Sequence, residues 1–274
     1  MAVVLISIVL IALIGLFQVR EYFTESHFYE EFPENKSVAK ALAMTLDDTI
    51  SGVEDYDDVL VLDLSSGVRM HDFTILSKFK NVRTIVLDNS RIVSFEGLDE
   101  FEYLDSLTIN NSKIPEIDGL NENLSSLTII NCDIMGDVDL GNMPKLTKVN
   151  LSENMIESLD GNYPMLKALK ISNNKIEKVS DITLPLTIEE LTLNGNPIID
   201  FSGLEDYDDI FNLGVTGTKE NDFSFLKEMD SLNSVYLDAG DMDDSLNYLF
   251  DNFRNGDYNR KKIYLSKLYN LEEE

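Results

Sequence analysis

Residues 104–114, 166–176 and 188–198 read LDSLTINNSKI, LKALKISNNKI and IEELTLNGNPI. Each opens on Leu-x-x-Leu-x-Leu with aliphatic substitutes, and the same pattern recurs along most of the chain. It begins at Val59, Val82, Leu104, Leu124, Leu146, Leu166, Ile188, Ile210 and Leu232, at spacings of 23, 22, 20, 22, 20, 22, 22 and 22 residues. Nine occurrences in one register exclude chance. The alternation in Leu-x-Leu predicts a short strand with one face inward. The rest of each unit must turn the chain and bring it back, making one coil per repeat. A single coil cannot bury its own apolar face, so neighbours stack into one continuous core.

Each strand is followed by a second apolar set on the return path, such as Phe95, Leu98 and Phe101, or Phe201, Leu204 and Tyr207. A 22-residue period leaves little room for a full helix there, so short helical turns or extended chain are expected. Gly97, Gly119, Gly161 and Gly203 stand near corners that need unusual backbone angles. The ninth position of the repeat holds Ser90, Ser112, Asn154, Asn174, Asn196 and Thr218, side chains suited to bonding buried corner backbone. Cys132 occupies that slot in the fourth repeat and is read as a corner residue, against the alternative of a reactive thiol. GVEDYDDVLVL (52–62) and GLEDYDDIFNL (203–213) match closely enough that the first repeat begins before Val59.

This sequence resembles the leucine-rich-repeat superfamily, in the 22-residue class of bacterial internalin-like surface proteins. The resemblance covers about residues 53–246. It implies an α/β solenoid, a horseshoe of about nine repeats with short parallel strands on the concave face. FPENKSVAKALAMTL (32–46) is similar to the small helical cap that opens such domains. Independently, Val38, Ala41, Leu42 and Leu46 fall on one helical stripe after Pro33, with Ser37 as the expected N-cap. The expected organisation is residues 1–23 as anchor or signal, 24–52 as linker and cap, 53–246 as repeats and 247–274 as C-terminal cap. In the last segment Leu246, Leu249, Phe250 and Phe253 have helical spacing, and Arg260, Lys261 and Lys262 read as solvated cap surface. No C-terminal sorting motif is visible, so the host-cell adhesion of particular internalins is not carried over.

Ala2 to Phe17 reads AVVLISIVLIALIGLF without a charge. As a helix it spans roughly 24–27 Å, the short end of what crosses a bilayer. Tyr22 and Phe23 stand where an interfacial aromatic belt lies. There is no basic residue before Arg20 and no small-x-small cleavage site, so an uncleaved anchor is favoured over a cleaved signal. The lone Arg20 biases the following domain inward, on a single charge. The expected location is the membrane, with the solenoid outside.

Among 274 residues, 50 are Asp or Glu and 22 are Lys or Arg, a formal net charge of −28. That field repels phosphate backbones and anionic lipid, so no nucleic-acid partner is expected. With Cys132 alone, no intramolecular disulfide forms. No phosphate loop, dinucleotide fingerprint or nucleophile elbow is present. His27 and His71 lie outside metal-ligand spacing. The acidic runs at Asp55, Asp57 and Asp58, and at Asp238, Asp241, Asp243 and Asp244, lack the calcium-loop pattern and read as solvated turns. The expectation is a binding protein without catalytic residues, metal or cofactor.

The strand positions that alternate with the core positions line the concave side. One row reads Val61, Thr84, Ser106, Ser126, Lys148, Ala168, Glu190, Asn212 and Ser234. The next reads Asp63, Val86, Thr108, Thr128, Asn150, Lys170, Thr192, Gly214 and Tyr236. Nine strands give a face roughly 38 Å long. The expected partner-binding residues are Thr84, Thr108, Thr128, Lys148, Asn150, Lys170, Glu190, Thr192, Asn212 and Tyr236, with a protein as partner. Large Trp, Tyr and Arg anchors are almost absent from this face. A competing reading is a structural or regulatory subunit, intracellular, docked permanently through an acidic convex side.

Overall fold

The structure, a computed structural model, describes residues 25–46, 55–220, 222–237 and 262–265. Coil by coil, the strands are β1 (Val61–Leu64) with β2 (Arg69–Met70), β3 (Thr84–Asp88) with β4 (Arg91–Ile92), and β5 (Ser106–Asn110). They continue as β6 (Ser126–Ile130) with β7 (Met135–Asn142), β8 (Lys148–Asn150) with β9 (Met155–Asn162), and β10 (Ala168–Lys170). The series closes with β11 (Glu190–Thr192), β12 (Asn212–Gly214), β13 (Ser234–Leu237) and β14 (Lys262–Leu265).

Ten of these form one parallel sheet in the order β1-β3-β5-β6-β8-β10-β11-β12-β13-β14. The first nine are the strands that the Leu-x-Leu pattern predicts. In β5, Leu107 and Ile109 are fully buried while Ser106, Thr108 and Asn110 are half-buried, the alternation that a one-sided strand requires. Leu62, Ile85, Leu127, Val149, Leu169, Leu191, Leu213 and Val235 repeat the inward position strand after strand. Each such Leu or Ile contributes roughly 1.5–3 kcal/mol relative to an exposed one, and the stacked column runs unbroken through the core. The horseshoe of stacked coils is that of a leucine-rich-repeat solenoid.

The tenth strand was not expected. β14 adds to β13 in parallel, with Ser234 opposite Lys262 and Tyr236 opposite Tyr264. It lies within the segment read as the C-terminal cap. Its spacing from β13 is outside the 20–23-residue period, and Arg260 stands where the first aliphatic residue would be. Leu246, Leu249, Phe250, Phe253 and the acidic run at Asp238–Asp244 lie outside the described residues, as does the N-terminal apolar stretch. Among the described residues no helix is long and apolar enough to cross a membrane.

The return side uses single 3-10 turns, at Thr74–Leu76, Val179–Asp181, Leu204–Asp206 and Ser224–Lys227, or extended chain. Phe73 stacks on Phe95 with ring centroids 6.1 Å apart, and Phe201, Phe223 and Phe225 cluster farther along. β7 and β9 are eight residues each and pair in parallel as a separate two-stranded sheet.

The corners hold the polar ladder that the ninth position foreshadowed. Asn174 Nδ2 donates to the carbonyls of Leu151, Ile171 and Ser172 at 3.0–3.2 Å, while its Oδ1 accepts from Ile156 N–H at 2.9 Å. Asn154 and Asn196 bridge in the same way. Ser90 and Ser112 do so with one oxygen each. One residue earlier in seven coils the backbone is left-handed: Asn89, Asn111, Asn131, Glu153, Asn173, Gly195 and Gly217 have φ between 49° and 71°. At Gly195 a Cβ would also displace the Asn173 side-chain amide.

Helices α1 (Glu25–Glu31) and α2 (Lys36–Leu46) cover the first coil. Val38, Ala41, Leu42 and Leu46 are buried, as the stripe implied. The N-cap, however, is Asn35 and not Ser37: Asn35 Oδ1 accepts from Val38 N–H at 3.1 Å. Ser37 instead accepts from Arg69 N–H at 2.9 Å, and so fastens the cap to β2.

Candidate functional site

The open face of the sheet is built by register. Thr84 sits opposite Ser106, Ser106 opposite Ser126, Ser126 opposite Lys148, and Lys148 opposite Ala168. The row continues through Glu190 and Asn212 to Ser234. The second row runs Val86, Thr108, Thr128, Asn150, Lys170, Thr192, Gly214, Tyr236 in the same ladder. Thus all ten predicted face residues share one surface. Thr84, Lys148, Glu190 and Asn212 fall in the first row. Thr108, Thr128, Asn150, Lys170, Thr192 and Tyr236 fall in the second.

Lys148, Lys170 and Tyr236 are exposed, and the others are half-buried between neighbouring side chains. Lys148 on β8 and Lys170 on β10 occupy adjacent strands two residues out of register, so they are diagonal neighbours. Across parallel strands about 4.8 Å apart, such a diagonal is within reach of long side chains. They are the only basic residues in the two rows from β1 to β13. Farther along the second row Gly214 leaves a gap, filled by Asn194 and Thr192, whose atoms stand about 3 Å from where its Cβ would be.

The remaining polar groups have structural partners. Cys132 is buried, its Sγ lies 3.3 Å from Ile130 O, and its N–H donates to Asn154 Oδ1 at 2.9 Å. Burial pushes its thiol up, away from the reactive thiolate. The corner reading of Cys132 is therefore the one that its contacts fit. The hydroxyl of Thr74 holds Asp72 below its ordinary range, and those of Thr183 and Ser202 do the same for Asp160 and Asp200. Asp72 and Asp200 close local turns, and Asp160 ties its coil to the next through Thr183. Burial raises the Tyr163 phenol, whose hydroxyl donates to Thr183 O. Among the described residues no group of three or more His, Cys, Asp or Glu side chains is placed to hold a metal ion.

Besides the tenth strand and the Asn35 cap, sequence reading missed the backbone of the corners and the long return strands. The left-handed column at Asn89 to Gly217 was visible only as Asn or Gly one residue before the corner slot, and Glu153 breaks even that signal. The long return strands β7 and β9 carry no distinctive alternation.

Comparison with known proteins places the repeat. A family model described as the leucine-rich-repeat domain of the endo-beta-N-acetylglucosaminidase EndoS matches residues 72–174. No curated protein matches the chain as a sequence relative. Among solved structures, the leucine-rich-repeat protein of an octameric complex of Latrophilin 3, Unc5D and FLRT2 superposes with a TM-score of 0.64 at 14% identity, over 76% of this chain and 70% of that one. Internalin C2 of Listeria monocytogenes gives 0.57 at 18% identity, over 77% of this chain and 96% of that one. InlP of Listeria monocytogenes gives 0.56 at 13%, over 77% and 72%. At these identities the likeness is one of fold: the chain is a leucine-rich-repeat solenoid.

Proposed function

We propose that this protein is a membrane-tethered recognition module that binds a protein partner through the open, concave face of its sheet. The observation that carries the reading is the pair Lys148 and Lys170, mid-face on adjacent strands of a chain with net charge −28. A positive spot in a negative field selects an acidic or carbonyl-rich patch and fixes its register. The face is continuous, rigid and mostly small and polar, which suits a partner that brings its own large anchors. The FLRT2 repeat domain stands in a multi-protein complex with Latrophilin 3 and Unc5D, an association of the kind that this surface is suited to. Tethering is proposed from the uncharged stretch Ala2–Phe17, with the solenoid outside the cell. The absence of catalytic residues and cofactor from this function, and of nucleic acid from its partners, belongs to the same proposal.

The test starts from the partner recovered by crosslinking on intact cells. Lys148→Glu with Lys170→Glu is expected to weaken its binding by more than about tenfold, which is about 1.4 kcal/mol, with melting unchanged. Lys175→Glu with Lys178→Glu, the same charge change on the return side, is the control. Equal loss in both pairs means that net charge alone acts, and loss in the control alone moves the site to the other side. Fractionation with protease protection reads anchoring and sidedness. A solenoid protected by the intact membrane would favour the intracellular, permanently docked subunit.

A further inference from the structure

We infer that the cleft between the third and fourth coils on the return side is a second docking site, which takes an extended segment of a basic partner as a strand added to β7. It does not rest on the open face, which lies on the other side of the solenoid.

The cleft arises from a mismatch between two coils. After its corner the third coil runs through KIPEIDGLNENLS (113–125) and forms no strand. Pro115 has no N–H to donate to a ladder, and Gly119 turns at φ 68°. The fourth coil does the opposite. It inserts two residues after its corner, so that Met135, three residues past Cys132, pairs with Met155, one residue past Asn154. Asp133 takes a second left-handed turn at φ 56° to accommodate them. The chain then runs extended as β7.

Among the described residues β7 has β9 on one side and no strand on the other. Among the described residues no hydrogen bond joins residues 113–122 to residues 133–142. A parallel strand directs its N–H and C=O groups to both sides, so the outer edge of β7 carries unpaired groups. The space beside it measures about 730 Å³, in the range of small binding clefts. Its apolar lining comes from Ile114, Ile117, Leu120, Val138 and Leu140. At its lip Met135 is 68% exposed. A Cβ at Gly136 or Gly141 would meet nothing within 4 Å, so the approach to β7 is open.

Charge selects the occupant. Glu116, Asp118, Asp133, Asp137 and Asp139 line the cleft, and no Lys, Arg or His does. Like charges on an edge prevent two copies from pairing there. The same charges attract a strand in which Lys or Arg alternates with aliphatic residues. Backbone ladder bonds then give affinity, and the apolar lining takes the alternate side chains.

The probe is a fluorescent octapeptide alternating Lys and Val, titrated into the full chain. Saturable binding is expected, with hydrogen-exchange protection confined to residues 135–142. Two companions, one alternating Glu and Val and one with Pro replacing the central Val residues, are expected not to bind. Glu116→Lys with Asp118→Lys is expected to weaken binding at least about tenfold. Neither carboxylate has a hydrogen-bond partner among the described residues, so both changes leave the fold intact. Glu157→Lys with Glu177→Lys is expected to weaken it far less. No binding of the Lys-Val peptide, equal binding of the Pro peptide, protection elsewhere, or equal loss in the two charge variants each overturns the inference.

Discussion

The stability of the coil corners rests on single side chains. Asn174 closes four hydrogen bonds within a buried corner, three as donor and one as acceptor. Removing it leaves the Ile156 N–H without its side-chain acceptor in a buried corner, while the Leu151 and Ile171 carbonyls keep the Nδ2 donors of Asn154 and Asn196. A buried group left unsatisfied costs about 1–3 kcal/mol. Asn174→Ala is therefore expected to destabilise the chain by about 1–3 kcal/mol, read from the urea midpoint at constant slope. A loss below about 0.5 kcal/mol would mean that the ladder adds nothing to stability. Residue type at this slot was legible in sequence because the period brings it back every 20–22 residues. Cys132 was legible by the same register, and its contacts, to Ile130 O and Asn154, are those of the Asn and Ser side chains around it.

At the scale of elements, local pattern placed the strands and the cap helix but not the contacts between them. The α2 stripe is set by the 3.6-residue period, which sequence carries in full. The cap itself was misplaced by two residues, because Asn and Ser are about equally good N-caps and what distinguishes them here is a distant partner. Ser37 is occupied by Arg69 N–H, and Asn35 reaches both Val38 N–H and Arg69 O. Asn35→Ala should thus cost about 1–2 kcal/mol, and Ser37→Ala about 0.5–1 kcal/mol, by chemical denaturation. The reverse order would return the N-cap to Ser37. The return strands β7 and β9 escaped sequence reading for a related reason: their pairing is set by the two-residue excess of the fourth coil, a property of the stack. The tenth strand escaped because its spacing breaks the period.

For the molecule as a whole, the repeat fixes both the fold and the rows of the open face, since every strand pairs in register with the next. What a partner would recognise there is not carried by periodicity, so the candidate site was legible as a surface and not as a specificity. Charge is the one global property readable outright from sequence, and it bears on stability. A net −28 repels itself within a compact chain. Against this, the described residues hold two Lys–carboxylate ion pairs, Lys78 with Glu31 and Lys167 with Glu189, both near the solvent. Exposed pairs contribute about 0–1 kcal/mol each, so screening removes little attraction while it relieves the repulsion of the excess acid. Raising monovalent salt from about 0.01 M to about 0.15 M shortens the screening length from about 30 Å to about 8 Å. The melting temperature is expected to rise, by roughly 2–4 °C for each kcal/mol of repulsion relieved, in scanning calorimetry. An unchanged or falling melting temperature over that range would show that the carboxylates are spaced widely enough along the solenoid for their mutual repulsion to be negligible.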